Sequence, residues 1–346
     1  MTGTERFRKA LNGEDVDRPP FEPAIYEHKA FLIGAAVSEV ARSADLLLKA
    51  LHRELELYGA DAVTVGVDVY NVEIEALGAE LDYEVGQDEL PHPKANLLES
   101  PAEVTALPLP NPDRDGRMPL LLDVAEQLNR EVGQEVVVRG AVSGPFSLAA
   151  ELLGTERMLM ALLDDPAMVT ALLGFASEVA VRFGLAFARR GVAPVYFDSR
   201  CAPPLVSPNQ YRELVFPHHK RLISETKVAL RGQHVPLIIG GDTTAIASAV
   251  VDTGADYVLC DYTADFGAYR RELEGRPVLV RRNLDPGLVR RGPVEAIREA
   301  AMQSVREARG WPRFVMGTGI VPWDTPPEHV LAAKDAVVKA GGEEEA

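Results

Sequence analysis

The chain has 346 residues, and 36 Lys plus Arg against 52 Asp plus Glu leave a net charge of −16 with an isoelectric point near 5.0. A chain this acidic, with no cluster of five or more basic residues, is excluded as a nucleic-acid binder that works by neutralising phosphates. Hydrophobic residues at 47% and charged residues at 25% exclude wholesale disorder, and the length suits two domains or one α/β barrel with extensions.

Met1 is followed by TGTERFRKALNGED, which lacks the apolar segment of a signal peptide. No stretch reaches about 18 uninterrupted apolar residues, so a cytoplasmic protein without a membrane span is expected. Short β-branched runs then predict strands over Phe21–Tyr26, Asp61–Val67, Val136–Gly140, Pro194–Asp198, Val235–Gly240, Asp256–Cys260, Pro277–Arg281 and Arg313–Gly317. Helical patterns fall between them over Ser38–Tyr58, Leu120–Val132, Ala149–Arg190 (two or three helices), Pro208–Leu230, Thr243–Thr253, Gly292–Ala308 and Pro327–Ala340. Strands alternating with helices imply right-handed βαβ units and a parallel sheet, and eight of them predict a (β/α)8 TIM barrel. The expected organisation is a single barrel domain over 1–346 with an N-terminal extension (1–20) and an insertion near 77–119. Within that insertion LGAELDYEVGQDEL suits an extra hairpin and PLPNPDRDGRMP a Pro-rich surface excursion; GGEEEA reads as a solvated C-terminus. A doubly wound sheet is the alternative, but no GxGxxG follows an early strand.

In a (β/α)8 barrel the chemistry sits at the carboxyl ends of the strands. Here those ends carry, in order, Tyr26-Glu27-His28, Asp68-Val69-Tyr70-Asn71 with Glu73 and Glu75, Ser143 to Ser147, Asp198-Ser199-Arg200-Cys201, Gly241-Asp242-Thr243-Thr244, Cys260-Asp261-Tyr262, Arg281-Arg282-Asn283 with Asp285, and Gly317-Thr318-Gly319. Asp68 and Asp198 follow runs that should be buried, where an unpaired carboxylate costs several kcal/mol, so each is paired or used. They are the candidate catalytic groups. Tyr26, His28, Tyr70, Asn71, Asp242 and Thr318 are candidate substrate contacts, with Asp242 fitting equally well as an N-cap. By alternation only one of Arg281 and Arg282 points inward, to clamp an anionic group or to pair with Asp285 or Asp261. Cys201 and Cys260 are too few for a disulfide framework and do not form a CxxC pair; each is a packed thiol or a site residue.

Several motifs are similar to those of the uroporphyrinogen decarboxylase family, which includes corrinoid-linked methyltransferases. They are RFRKALNGEDVDRPPFEP (Arg6 to Pro23), EALGAELDY (Glu75 to Tyr83), GAVSGPFSLAAELLG (Gly140 to Gly154), LVSPNQYRELVFPHHKRL (Leu205 to Leu222), GGDTT (Gly240 to Thr244), RRNLDPGLV (Arg281 to Val289) and MGTGIVPWDTPPEHVLA (Met316 to Ala332). They occur in family order over nearly the whole chain, and the resemblance implies a (β/α)8 barrel. It also implies where to check the chemistry, since function does not follow from fold. The arginine-bearing M-R-Q-A-G-R loop of the decarboxylases is replaced by Ala24-Ile25-Tyr26-Glu27-His28-Lys29, and Asp68 matches the decarboxylase aspartate with one residue more before Leu77-Gly78. Glu151 stands in place of the tyrosine after the third-strand motif, and Gly317-Thr318-Gly319 in place of G-H-G. The H-x-C zinc ligands of the thiol-methylating branch fall on Ile238 and Gly240, and the later cysteine is absent near Ile320 and Val321.

The resemblance therefore implies an enzyme acting on a small substrate by methyl or one-carbon transfer, with a corrinoid on a separate partner protein as carrier and Asp68 and Asp198 positioning or protonating the substrate. The alternatives are decarboxylation of uroporphyrinogen or a smaller acid, and a non-catalytic binding barrel. A different zinc site could draw on His28, Glu75, Cys260 or Asp261, which have no recognised metal spacing. A C2 homodimer is the default assembly.

Overall fold

The computed structural model describes residues 1–230 and 234–342, so the last four residues of the acidic tail lie outside the described residues. Eight strands form one parallel sheet: β1 Phe21–Ala24, β2 Ala62–Val65, β3 Val137–Ser143, β4 Ala193–Phe197, β5 Pro236–Ile238, β6 Tyr257–Cys260, β7 Leu279–Leu284 and β8 Phe314–Ile320. They pair in the order β1-β8-β7-β6-β5-β4-β3-β2, which is a barrel with one seam, between β1 and β2. Each strand leads into a helix of the outer layer, from Ala44–Tyr58 after β1 to Pro327–Gly342 after β8. The (β/α)8 expectation holds. The helix Phe266–Leu273 between β6 and β7 is absent from the sequence reading, because FGAYRREL is short and mixed in polarity; an Asp265 carboxylate accepting the Gly267 N–H at 2.7 Å starts it.

Side chains close the seam that the backbone leaves open. At its lower end the Asp61 carboxylate accepts the Phe21 N–H at 2.7 Å and is held by Arg6 and Arg18, while the Asp61 N–H donates to the Phe21 carbonyl at 2.9 Å. At its upper end Lys29 Nζ donates to the carbonyls of Thr64 and Gly66 at 2.8 and 3.0 Å and faces Glu54 at 3.5 Å. Both of these ions are buried, and burial pushes the Glu54 carboxyl up to about 7.

The barrel interior is stacked in three layers. Helix Gly3–Asn12 plugs the lower end, where Phe7 and Ala10 meet Ala62, Tyr257, Leu279 and Val315. Above it lies a charged layer in which Glu22 accepts the Tyr257 hydroxyl at 2.8 Å and faces Arg139 at 3.5 Å and Arg281 at 3.8 Å. The third layer is apolar: Ala24, Tyr26, Ala141, Val195, Phe197, Ile238 and Leu259. These residues alternate along their strands, as a pleated strand requires.

Two differences from the predicted elements bear on the site. Helix Pro145–Leu153 begins four residues before the expected start, because Pro145 occupies its first turn and the Asp198 carboxylate accepts the Phe146 and Ser147 N–H groups at 3.0 and 2.6 Å. Only glycine fits at 144, since a Cβ there would lie 2.4 Å from the Asp198 Cβ. The insertion does form a hairpin, but Leu81–Asp82 pairs with His92–Pro93, beyond the end of the predicted LGAELDYEVGQDEL, and the insertion then returns Arg117 to the barrel mouth. Helix Pro166–Arg189 is long and apolar enough to cross a membrane, yet most of its apolar side chains are buried against the rest of the chain.

Candidate active site

Above the apolar layer the strand ends enclose a cavity of about 610 Å³. Its floor is Ala24, Val67, Val69, Ile238 and Leu259; its walls carry Tyr26, Tyr70, Phe197 and Tyr262; Leu90 to Pro93, the returning arm of the hairpin, and Ile320 form its rim. Tyr26 and Phe197 meet edge to face with centroids 5.7 Å apart, which fixes both rings.

On the β2 side the polar wall is Asp68 and Asn71. One Asp68 oxygen accepts the Asn71 side-chain amide at 2.9 Å and its N–H at 3.3 Å, while the other accepts Arg117 Nη2 at 2.9 Å. Arg117 Nε also donates to Glu75 at 2.5 Å, and Glu75 accepts the Tyr83 hydroxyl at 2.6 Å. The Asn71 amide donates in addition to the Pro91 carbonyl at 2.6 Å, so the insertion is fastened to the mouth at both its hairpin and its end. Burial raises the Asp68 carboxyl above its ordinary range although Arg117 pulls it down. Behind it Glu73 accepts the Ser143 N–H at 2.7 Å and lies 2.9 Å from the Ser143 hydroxyl, which in turn reaches the Val69 carbonyl at 2.9 Å. A protonated Glu73 completes that chain by donating to the hydroxyl, and burial pushes its carboxyl up to about 7.

On the β6 to β8 side, Asp261 accepts N–H groups from Gly241, Tyr262 and Asn283 at 2.8, 3.0 and 3.1 Å, and no ion pair involves it among the described residues. The Asn283 oxygen accepts Arg281 Nε at 2.8 Å, and Arg281 Nη2 donates to the Thr318 carbonyl at 3.0 Å. Gly317 makes room for this arrangement, since a Cβ there would lie 2.4 Å from Arg281 Nε. Across the cavity Arg200 is paired with Glu151 and lies over the Tyr70 ring at 5.5 Å. Glu27 lines the wall beside Tyr26, and burial raises its carboxyl.

The sequence profile of the uroporphyrinogen decarboxylase (URO-D) family matches residues 2–340. The chain belongs to the uroporphyrinogen decarboxylase family. Among similar sequences, the uroporphyrinogen decarboxylases of Anaeromyxobacter sp. (strain Fw109-5) and Anaeromyxobacter dehalogenans are 28% and 29% identical, each over 96% of this chain and 98% of theirs. Among solved structures, a methyltransferase from Methanosarcina mazei superposes with a TM-score of 0.84 over the whole of both chains at 23% identity. A B12-independent methionine synthase from Shewanella sp. W3-18-1 gives 0.55 over 87% of each chain at 12% identity. At those identities the two structures speak to the shared barrel fold alone.

Of the residues expected to form the site, Tyr26, Asp68, Tyr70, Asn71 and Arg281 line the cavity of this family member. Five others lie elsewhere. Asp198 is fully buried outside the barrel wall, where it holds the Phe146 and Ser147 N–H groups and His219 Nε2 at 2.7 Å; it positions helix Pro145–Leu153. His28 opens the short helix His28–Phe31 between β1 and Ala44–Tyr58, 2.8 Å from the Trp323 carbonyl and 2.7 Å from the Tyr58 hydroxyl. Asp242 caps its own turn through Thr244, the N-cap alternative in its shortest form. Arg282 points outward to Glu307 at 3.1 Å and over Phe266, and the Thr318 hydroxyl accepts the Ala24 N–H at 3.1 Å between β8 and β1. Asp285, offered above as an arginine partner, caps helix Pro286–Arg291.

The weak metal candidates do not converge. Glu75 is bound to Arg117 and Tyr83, the Cys260 thiol, pushed up to about 12 by burial, faces the Ala264 carbonyl, and His28 is engaged as above. The positions of the thiol-methylating branch's zinc ligands line the cavity as Ile238 and Gly240, with exposed Ile320 at the rim, and none offers a metal-binding side chain. The residues present do not fit that zinc. Among the described residues, Asp198, Cys201 and His219 do lie within 4.8 Å of one another. Their spacing is that of hydrogen bonds, since 2.7 Å between Asp198 and His219 is well below the roughly 3.3 Å separation of two ligands on tetrahedral zinc.

Arg117, Arg200, Glu151 and Glu27 also build the site and are not among the candidates the sequence singles out, while Asp261 and Asn283, placed at strand ends, are not singled out as substrate contacts. For Asp261 and Asn283 a signal existed: each lies an even number of residues beyond an inward-facing strand position, Leu259 and Arg281.

Proposed function

We propose that this family member acts on a small substrate by methyl or one-carbon transfer, with a corrinoid on a separate partner protein serving as the methyl carrier. The observation that carries this reading is the commitment of the cavity's arginines. Arg200 is neutralised by Glu151, and Arg281 is spent on Asn283 and the Thr318 carbonyl. Uroporphyrinogen brings eight carboxylates, and each one buried without a cation costs several kcal/mol. In place of further cations the cavity offers Asp68, Asp261, Glu27 and Glu151.

In this reading Tyr26, Tyr70 and Asn71 orient the substrate over the apolar floor. Asp68, fixed by Arg117 and Asn71, supplies a positioned carboxylate at the wall, as electrostatic preorganisation requires. The ring walls and the proline-bearing rim exclude water from the reacting carbon. Mixing the protein with methylcobalamin and candidate acceptors tests the reading through the corrinoid spectrum. Change with any acceptor is expected; silence with all of them contradicts it.

A second reading, decarboxylation of uroporphyrinogen or a smaller acid, is favoured by the names of the similar sequences and by Asp68 at the position of the decarboxylase aspartate. There a carboxylate would stabilise a protonated pyrrole as carbon dioxide leaves. Turnover of uroporphyrinogen at an ordinary rate would establish it.

A further inference from the structure

We infer that the cavity takes a cationic substrate of one class, a small methylated onium compound such as a quaternary ammonium or tertiary sulfonium ion. The inference rests on the reading of this cavity as the substrate site and deepens it.

Four carboxylates and two arginines line the cavity, and the balance after internal pairing decides its preference. Glu151 cancels Arg200, and Arg117 cancels Asp68 from behind. Below the floor Arg281 shares Glu22 with Arg139, and the cavity carboxylates that stand outside an ion pair among the described residues are Asp261 and Glu27. Asp261 accepts three N–H groups, which hold a carboxylate in its charged form without neutralising it. Glu27 accepts its own backbone N–H, and the cation acting on it, Lys29, is engaged with Glu54 and two carbonyls. A ligand carrying positive charge meets two carboxylates that no ion pair holds among the described residues, with Arg281 linked to Asp261 only through Asn283, whereas an anion meets both as repulsion.

The remaining surface says which cation. A metal ion or a primary ammonium is strongly hydrated and needs oxygen donors all round, and the apolar floor of Ala24, Val67, Ile238 and Leu259 offers none. A methylated onium centre spreads its charge over methyl groups that an apolar floor accommodates, and ring faces attract it. Tyr26, Phe197 and Tyr262 supply rings to the same cavity, and Tyr70 already holds the Arg200 guanidinium over its ring at 5.5 Å, so this wall takes a delocalised cation.

The test compares ligands of equal shape. Isothermal titration of the full chain with choline, with its uncharged isostere 3,3-dimethylbutan-1-ol and with 3,3-dimethylbutanoate should rank them in that order, with choline at least about tenfold tighter than the alcohol. Trimethylsulfonium and tetramethylammonium should also bind. Asp261→Asn and Glu27→Gln, each with unchanged melting behaviour, should weaken choline several-fold and leave the alcohol unaffected. Equal or tighter binding of the alcohol or the acid would overturn the inference, as would no binding of any of the three cations at about 50 mM. Cation binding without corrinoid-linked methyl transfer upholds this inference and removes the methyl-transfer reading. Methyl transfer from uncharged donors alone, without cation preference, does the reverse.

Discussion

Asp198 and Asp261 each follow directly on the last residue of a barrel strand, β4 and β6, and they have opposite fates. In β4 the inward positions are Val195 and Phe197, so the next residue turns outward, into the gap between helix Pro145–Leu153 and His219. In β6 the inward position is Leu259 and Cys260 packs outside, so Asp261 comes back to the cavity. The two carboxylates differ by one residue of parity, and parity makes one a brace and the other a wall. A polar residue at a strand end is evidence of a functional position only once the inward set of that strand is known.

The comparison can be broken most sharply at Asp198. Asp198→Ala leaves two helix N–H groups and a buried imidazole without their acceptor, so unfolding free energy should fall by about 3–5 kcal/mol, read from urea midpoints. Asp261→Asn, at the cavity wall, should change it by less than about 1 kcal/mol. Equal losses would mean that parity does not separate the two roles.

Asp68 combines both roles, which sharpens the contrast. Asp68→Asn keeps the shape but leaves Arg117 paired with Glu75 alone, so stability should fall by roughly 1–3 kcal/mol. If the carboxylate also serves the reaction, kcat/KM should fall by about 10², near 2.7 kcal/mol of transition-state stabilisation. A destabilised Asp68→Asn protein with full turnover would make Asp68 a second brace.

Glu73 gives a pH signature behind the same wall. Its folded carboxyl titrates at about 7 against an ordinary value of 4.5, so the folded state binds the proton more tightly. The stability this contributes is present below pH 4.5 and is lost as pH rises through 7. Glu73→Gln lacks that loss, and the variant should gain on the parent by about 1–3 kcal/mol between those limits, measured as melting temperature against pH. A difference that stays flat with pH would mean an ordinary carboxyl. The smallest effect belongs to Arg282, the outward neighbour of Arg281: Arg282→Gln should cost under about 1 kcal/mol and leave turnover unchanged.

The barrel is legible because its signal repeats: apolar, β-branched runs of five to seven residues mark all eight strands, and the family motifs run from Arg6 to Ala332. Strand ends were less legible. β7 and β8 continue three residues past their predicted ends, to Leu284 and Ile320, because pairs such as Gly317 with Asn283 extend the ladder through polar residues that read as loop. Three of the misplaced site residues, Asp198, Arg282 and Thr318, sit at outward parity. Arg117 could not be found by strand logic at all. It reaches Asp68 from the end of a Pro-rich insertion, 49 residues along the chain, through a tertiary contact that no local pattern announces.

A cavity with its arginines already spent should not serve a polyanion. That is tested most directly by incubating the purified chain anaerobically with uroporphyrinogen III and following carboxyl loss by chromatography of the oxidised porphyrins. The account predicts that the octacarboxylate is recovered unchanged, since Arg200 and Arg281 are held by Glu151 and by Asn283 with the Thr318 carbonyl. Conversion to products with fewer carboxyl groups at an ordinary enzymatic rate, abolished by Asp68→Asn, would contradict it.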